Sequence, residues 1–433
     1  MPADRLADLV SPTVGIIRSV VPQPRPEDEP VPPYLYVATL SHFDFRMADG
    51  NERIGAGKGP SPEAAYAAAI GEAVERYCAF QWDMGRTIVV PAAQVPAGTI
   101  LPTDLVLYSA AQYATPGFPH RPWDERADTT WLAGVELGSG DEVFVPAGMT
   151  YLVNPMPTPQ DHLTPPTSNG LAAGATLSDA VLGGLYELME RDAFLITWMN
   201  RLPATEIDLR ASGGAAASVA THYGRRGVTL RAFLLPSDLP AATVLAVAFD
   251  DAPGRPAQIV GLGCHLDVAV ATEKAVFELC QARPSETARF RDNPPEGRLR
   301  EYRDVATLDD HSAFASQRSR RHEFEFLWAS GSSTVLEGAA GPLPPAEEQL
   351  RTCTTELSRL GSRLAYVDLT LPDIASVGLH VVRVLATSLQ PIHFGHGEER
   401  LGGTRLFSVP EQLGLRNRRS GPEELNPCPH PLA

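Results

Sequence analysis

Apolar and polar positions along this chain fall into short alternating or continuously apolar runs, separated by longer segments of helical period. Strand-like runs rich in Val, Leu, Tyr and Phe lie at 34–40, 87–90, 131–137, 143–145, 228–235, 243–249, 258–266, 363–370 and 379–387. Helical segments interleave with them at 62 to about 80, through 182–198, at 268 to about 283, and at 345–361. The first two are apolar nearly all round, which is how buried helices read. Strands interleaved with helices place the fold in the α/β class. Gly55 to Pro62 reads as a glycine-rich turn, and Ser168-Asn169-Gly170-Leu171-Ala172-Ala173-Gly174 as a glycine-punctuated loop. Residues 1–33 read as an extended, partly mobile segment because prolines block helix there. A main domain then runs from 34 to 409. Within it the charged, proline-bearing stretch 284–321 is expected as an exposed excursion or lid, and 410–433 forms a proline-rich tail.

Two of the apolar helices carry the same polar interruption. Glu72-Ala73-Val74-Glu75-Arg76 and Glu187-Leu188-Met189-Glu190-Arg191 are both Glu-x-x-Glu-Arg. Residues three apart share a helix face, so each helix aims two carboxylates the same way. Buried and unpaired, such groups cost several kcal/mol each, so a cation is expected among them. Hard divalent ions such as magnesium take carboxylate oxygens and commonly arrive with phosphates. The third helix adds Lys274, Glu278 and Gln281 at i, i+4 and i+7, closed by Arg283. Arg76, Arg191 and Lys274 are suited to phosphate oxygens. Glu72, Glu75, Glu187, Glu190 and Glu278 are suited to magnesium. A single Glu-x-x-Glu-Arg is more often a solvated face with i,i+4 ion pairs; two copies in apolar helices, with the third helix, favour the site. The two copies also hint at an internal repeat.

Net charge of −16 disfavours nonspecific binding to nucleic acid or an anionic membrane. No apolar run approaches the roughly 20 residues of a membrane span, and no signal peptide is present, so a cytoplasmic protein is expected. Five cysteines without a C-x-x-C pair argue against a disulfide framework and a zinc ribbon. Gly55-Ala56-Gly57-Lys58-Gly59 lacks the Ser or Thr and the spacing of a phosphate loop, although Lys58 can still reach a phosphate. His393-Phe394-Gly395-His396 is a candidate pair that a polar turn explains equally well. No G-x-S-x-G or Cys/His acyl-enzyme signature occurs.

The three acidic helices, the 168–174 loop and the terminal Pro427-x-Pro429-x-Pro431 together resemble the YcaO family, and more narrowly its azoline-forming cyclodehydratases, from about Ser11 to Ala433. The family's first motif falls on Ala68, Glu72, Glu75 and Arg76, with Ala where Ser is usual. The second falls on Glu187, Glu190 and Arg191, with Asp179 at an upstream acidic position and Ala172 at a serine position. The third falls on Glu278 and Gln281, with Lys274 where Arg is common. The resemblance implies a YcaO-like fold with ATP and Mg2+ among the three helices. It also implies a tail threaded towards the active site, where Pro429, Pro431 and Ala433 serve catalysis beside Glu75 and Glu190. The implied reaction turns Cys, Ser or Thr of a ribosomally made precursor peptide into thiazoline or oxazoline. The side-chain nucleophile adds to the preceding carbonyl, and the oxyanion is phosphorylated by ATP. Thioamide or amidine formation by the same fold, or a catalytically silent scaffold, are the alternatives. A separate leader-peptide recognition protein (ocin-ThiF-like or similar), a flavin dehydrogenase for oxidation to azole, and a homodimer are the expected partners.

Overall fold

The computed structural model describes residues 3–41, 53–153, 156, 158–337 and 342–432, with backbone alone at 3 and 4. Three sheets carry the helices. Ile17–Pro22, Tyr34–Leu40 and Ile54–Gly59 form an antiparallel three-stranded sheet. A five-stranded sheet runs Gln258–His265, Ala242–Asp250, Val228–Leu234, Thr205–Ile207 and Ser333–Thr334. The third sheet runs Thr87–Val90, Thr129–Glu136, Leu364–Asp368, His380–Ala386 and Leu171–Gly174, with Glu142–Pro146 paired to the second of these. No helix of the described residues is long and apolar enough to cross a membrane.

Each acidic helix starts at a side-chain cap and lies on a glycine-bearing strand. Ser61 caps Pro62–Phe80, Thr176 and Asp179 form a capping box for Leu177–Asn200, and Asp267 caps Val268–Asp292. The strand expected as a turn, Ile54–Gly59, shows why glycine is there. A Cβ on Gly57 would stand 2.1 Å from the Ala65 carbonyl oxygen, and one on Gly55 2.4 Å from the Ala73 nitrogen. The same contacts recur 206 positions along: Gly263 meets Ala271 and Ala275, and Gly261 meets Ala275 and Leu279. Their caps, Ser61 and Asp267, keep the same offset. The clear internal repeat is therefore a three-stranded antiparallel meander followed by an acidic helix, and it relates the first helix to the third. The second helix packs instead across His380–Ala386 and Leu171–Gly174, where Gly184 touches the Gly170 carbonyl.

Residues 284–321 are only in part the exposed excursion expected: most of 291–309 is exposed, but both ends are built into the fold. The third helix continues through Pro284 to Asp292. Arg283, 4% exposed, ties it to Glu29 and, at 2.8 Å, to Asp250. These are long-range ion pairs, so local sequence could not reveal that the helix persists past a proline. Helix Leu308–Ala315 and the 3₁₀ turns Arg318–Trp328 then bury His311, Phe314, Phe324 and Leu327. Glu29 also shows that the 1–33 segment is integral: Leu6, Leu9 and Ile17 join the core, and Tyr223 donates to Glu29 at 2.7 Å. The tail is equally embedded, since Cys428 and Leu432 belong to the cluster around Phe194 and Trp198.

Candidate active site

On each acidic helix one carboxylate is anchored by the backbone of the neighbouring strand or loop. Glu72 Oε2 accepts from Ala56 N–H at 2.8 Å, Glu278 Oε1 from Leu262 N–H at 3.4 Å, and Glu187 Oε2 from Gly170 N–H at 3.0 Å. Each has a cation on its other oxygen: Arg76 at 2.6 Å, Lys58 at 3.2 Å and Arg191 at 3.9 Å, respectively. Lys58 comes from the first repeat and Glu278 from the second, so this pair joins the two.

Of the two remaining carboxylates, Glu75 also accepts from the Ala173 backbone N–H, and both lie among further carboxylates. Burial, then repulsion from Glu72 and Glu187, hold the Glu75 carboxyl well above the ordinary range, against Arg76. Burial, then Glu278, push Glu190 up to about 7, with Arg191 and Lys274 opposing. Burial also raises Glu187, whose charge is shared between both groups. Glu278 alone ends low: burial raises it, but Lys58 and Arg191 outweigh burial. Beneath this nest Arg383 is 2% exposed and donates to the carbonyls of Thr150, Asn169 and Thr167 at 2.8, 2.5 and 2.7 Å. Burial lowers it to about 10 while Glu187 and Glu75 pull it back up.

Two chambers open beside the nest and share Glu72, Arg76 and Arg191. The larger, about 1170 Å³, is lined by Glu75, Glu187 and Ser168. Tyr36, Tyr66, Leu152 and Leu379 line it as well. The second, about 550 Å³, is lined by Lys58, Glu278, Gln281, Arg289 and Asp309, and by Pro431 and Leu432 of the tail.

Most of the site residues expected from sequence converge here. Glu72, Glu75, Arg76, Glu187 and Arg191 line the larger chamber, and Lys58, Glu278, Gln281 and Pro431 the second. Glu190 lines neither chamber but is within electrostatic reach of Glu278 and Glu187. Pro429 is buried within the tail. Lys274 lines neither chamber; its Nζ lies 5.4 Å from the Tyr186 ring centroid. Asp179 is exposed and turned to the Thr176 cap, whose N–H and Oγ1 it accepts at 3.1 and 2.8 Å; it lines neither chamber. Its spacing from Thr176 was already a capping signature. Ala433 lies outside the described residues. Sequence reading missed Arg383, whose signal is a lone arginine inside an apolar strand, and the polar wall of Arg289 and Asp309.

The residues fit an ATP-bound magnesium. Among the described residues no three His, Cys, Asp or Glu side chains gather closely enough to hold an ion alone. Magnesium does not require that, because it usually combines one or two carboxylates with water and substrate phosphates. Glu75 and Glu190 are the self-repelling carboxylates such an ion would relieve. The buried Arg191 Nε has no hydrogen-bond partner among the described residues, leaving a donor beside them.

A family model described as YcaO cyclodehydratase, ATP- and Mg2+-binding, matches residues 56–390. The chain belongs to the YcaO family. Solved YcaO-like structures agree on the fold. A heterocyclase in complex with substrate and cofactor superposes with a TM-score of 0.78 at 24% identity, covering 100% of this chain and 57% of that one. This chain thus spans little more than half of that heterocyclase's length. YcaO from Methanopyrus kandleri, bound with AMPPCP and Mg2+, gives 0.60 at 20% identity over 86% of each chain. A chain of the E. coli microcin synthetase McbBCD complex gives 0.61 at 16% identity, covering 86% of this chain and 88% of its own.

Proposed function

We infer that this protein is an ATP- and Mg2+-dependent cyclodehydratase that closes azoline rings on Cys, Ser or Thr of a ribosomally made precursor peptide. The observation that carries the reading is the nest: Glu75 and Glu190, drawn from two helices, are repelled by neighbouring carboxylates, beside two chambers that share Glu72, Arg76 and Arg191. The larger chamber matches a nucleotide in character, since its lining combines aromatic and aliphatic side chains suited to a base with Arg76 and Arg191 suited to phosphates. The second chamber, bounded by the tail, suits the peptide.

When bound, ATP supplies the phosphoryl group that takes the amide oxygen away, and Mg2+ neutralises the negative charge that develops. Glu75 and Glu190 would hold the metal, with the anchored Glu72, Glu187 and Glu278 beside them. Arg76 and Arg191 line both chambers and so stand where donors could orient phosphate oxygens on one side and the oxyanion on the other. Lys58 and Gln281 face the peptide side. Arg383 keeps the Gly170 loop, and with it the Glu187 anchor, fixed from behind. Phosphate leaves as the ring closes, and the peptide loses one water per ring.

Participation in a multi-subunit assembly acting on a precursor peptide is part of this proposal; the likeness to a chain of the microcin synthetase complex supports it. A leader-binding protein, a flavin dehydrogenase and self-association are its finer elements. Mass spectrometry of a Cys-containing peptide incubated with the protein, ATP and Mg2+ tests the function. Loss of one water per ring is expected. With sulfide added, exchange of oxygen for sulfur, seen as a mass gain, would assign the alternative thioamide chemistry. ATP binding without any peptide change in the complete assembly would reduce the protein to a scaffold.

A further inference from the structure

Three histidines that the mechanism above does not use meet on the proline-spaced segment. His311 lies on Leu308–Ala315, a helix whose Leu308 lines the larger chamber and whose Asp309 and Ser312 line the second. Its ring stacks on that of His430 at 3.9 Å and 17°, and His393 closes edge-on at 4.9 Å from His430. All three are at most 4% exposed. The hydrogen bonds fix the tautomers. Gly395 N–H donates to His311 Nε2 at 3.1 Å, so the His311 proton is on Nδ1, which donates to the His430 carbonyl at 2.9 Å. His430 Nε2 in turn donates to the His393 carbonyl at 2.9 Å. His430 sits between Pro429 and Pro431, so the ring clasped here belongs to the residue that sets Pro431 and Leu432 against the second chamber. Upstream, Trp198 Nε1 donates to the Cys428 carbonyl at 2.9 Å, and Asn426 N–H to the Met199 carbonyl at 2.6 Å.

We propose that His311 is a positioning residue: a neutral imidazole clasp that holds the 428–432 segment in register with the acidic nest, so that Pro431 and Leu432 form the wall against which the peptide is aligned. This rests on the cyclodehydratase reading for its functional part only. The clasp has no carboxylate counter-ion within it. Burial first, then Arg400 beside His393 and Arg191 beside His430, favour neutral rings, against Asp310 beside His311; His396 faces His311 and His393. Protonating His311 would place a second donor against Gly395 N–H and break the clasp.

The test pairs hydrogen exchange with ring formation in the full chain. His311→Phe keeps a ring for stacking but removes both hydrogen bonds; His311→Asn keeps a donor where Nδ1–H points. In His311→Phe, amides of His430 and Leu432 should exchange at least ten-fold faster. Ring formation on a Cys-containing peptide should fall at least ten-fold in kcat, with KM for ATP and AMPPCP affinity within two-fold of the parent. His311→Asn should recover most of both. A tail that stays protected in His311→Phe overturns the clasp, and a loosened tail with parent kcat overturns its positioning role. Lost AMPPCP affinity in both variants would overturn the specific role by showing general misfolding. If the parent itself makes no rings in the complete assembly, the cyclodehydratase reading fails, while exchange still decides the clasp.

Discussion

Replacing Glu190 by glutamine should make the empty protein more stable while destroying its activity. The Glu190 carboxyl rises from 4.5 to about 7 because burial, Glu278 and Glu187 all oppose its charge. A raised carboxyl pKa means that the folded state holds a proton more tightly than the unfolded chain. The folded state is therefore penalised progressively as pH rises above about 4.5, and fully once pH exceeds about 7. That difference corresponds to roughly 3 kcal/mol. The Glu190 side chain is half-buried, so solvent screening brings the expected effect to about 1–3 kcal/mol. An amide of the same shape escapes the penalty. For a chain of this size the gain amounts to about 1–3 °C in melting temperature. Thermal unfolding of Glu190→Gln and parent at pH 8 should show it, and at pH 4 the two should coincide. Adding ATP and Mg2+ should reverse the ranking, because the parent binds and gains RT ln(1 + [L]/Kd), about 2.7 kcal/mol at 100 Kd, whereas the variant gains far less. A variant that is no more stable at pH 8, and that turns over ATP at the parent rate, would refute the reasoning: the nest would then be an ordinary structural cluster.

Gly57→Ala should destabilise by about 3 kcal/mol in urea titrations, since the new Cβ would fall 2.1 Å from the Ala65 carbonyl oxygen and the first acidic helix must lift. Arg383→Met leaves three buried carbonyls without donors and removes the cation behind Glu187 and Glu75; a loss of about 3–5 kcal/mol is expected, measured the same way. Burial lowers His311 to about 4, so stability should be full above about pH 6.5 and decline as pH falls towards 4, by roughly 3 kcal/mol for this group, while His311→Phe should flatten that acid limb. Deleting residues 426–433 should spare most nucleotide affinity but abolish ring formation, read by mass spectrometry alongside an AMPPCP titration.

The apolar runs 228–235, 243–249 and 258–266 sufficed to find three strands of the five-stranded sheet, though not those at 205–207 and 333–334, and Glu-x-x-Glu-Arg in apolar surroundings sufficed to find the nest. Reading failed where backbone approach replaces side-chain pattern. Gly55 to Gly59 looks like a turn because glycine is the usual turn residue, yet here the missing Cβ lets a helix lie directly on a strand. The matching Gly261-Leu262-Gly263 was in the sequence, and aligning the two would have exposed the 206-residue repeat. Pro284 misled for the opposite reason: a local helix breaker was overridden by Arg283, whose partners Glu29 and Asp250 are remote in sequence. His393-Phe394-Gly395-His396 could not be distinguished from a polar turn, because its significance lies in contacts with His311 and His430 that only the fold creates.

The central claim is that the nest transfers a phosphoryl group to a peptide amide oxygen. Labelling that amide carbonyl with heavy oxygen in a Cys-containing peptide, in the complete assembly with ATP and Mg2+, follows the atom itself. The account predicts that the label leaves in inorganic phosphate, one atom per ring closed, and that no transfer occurs with Glu190→Gln. Rings that form while the label departs in water, with phosphate unlabelled, would contradict it.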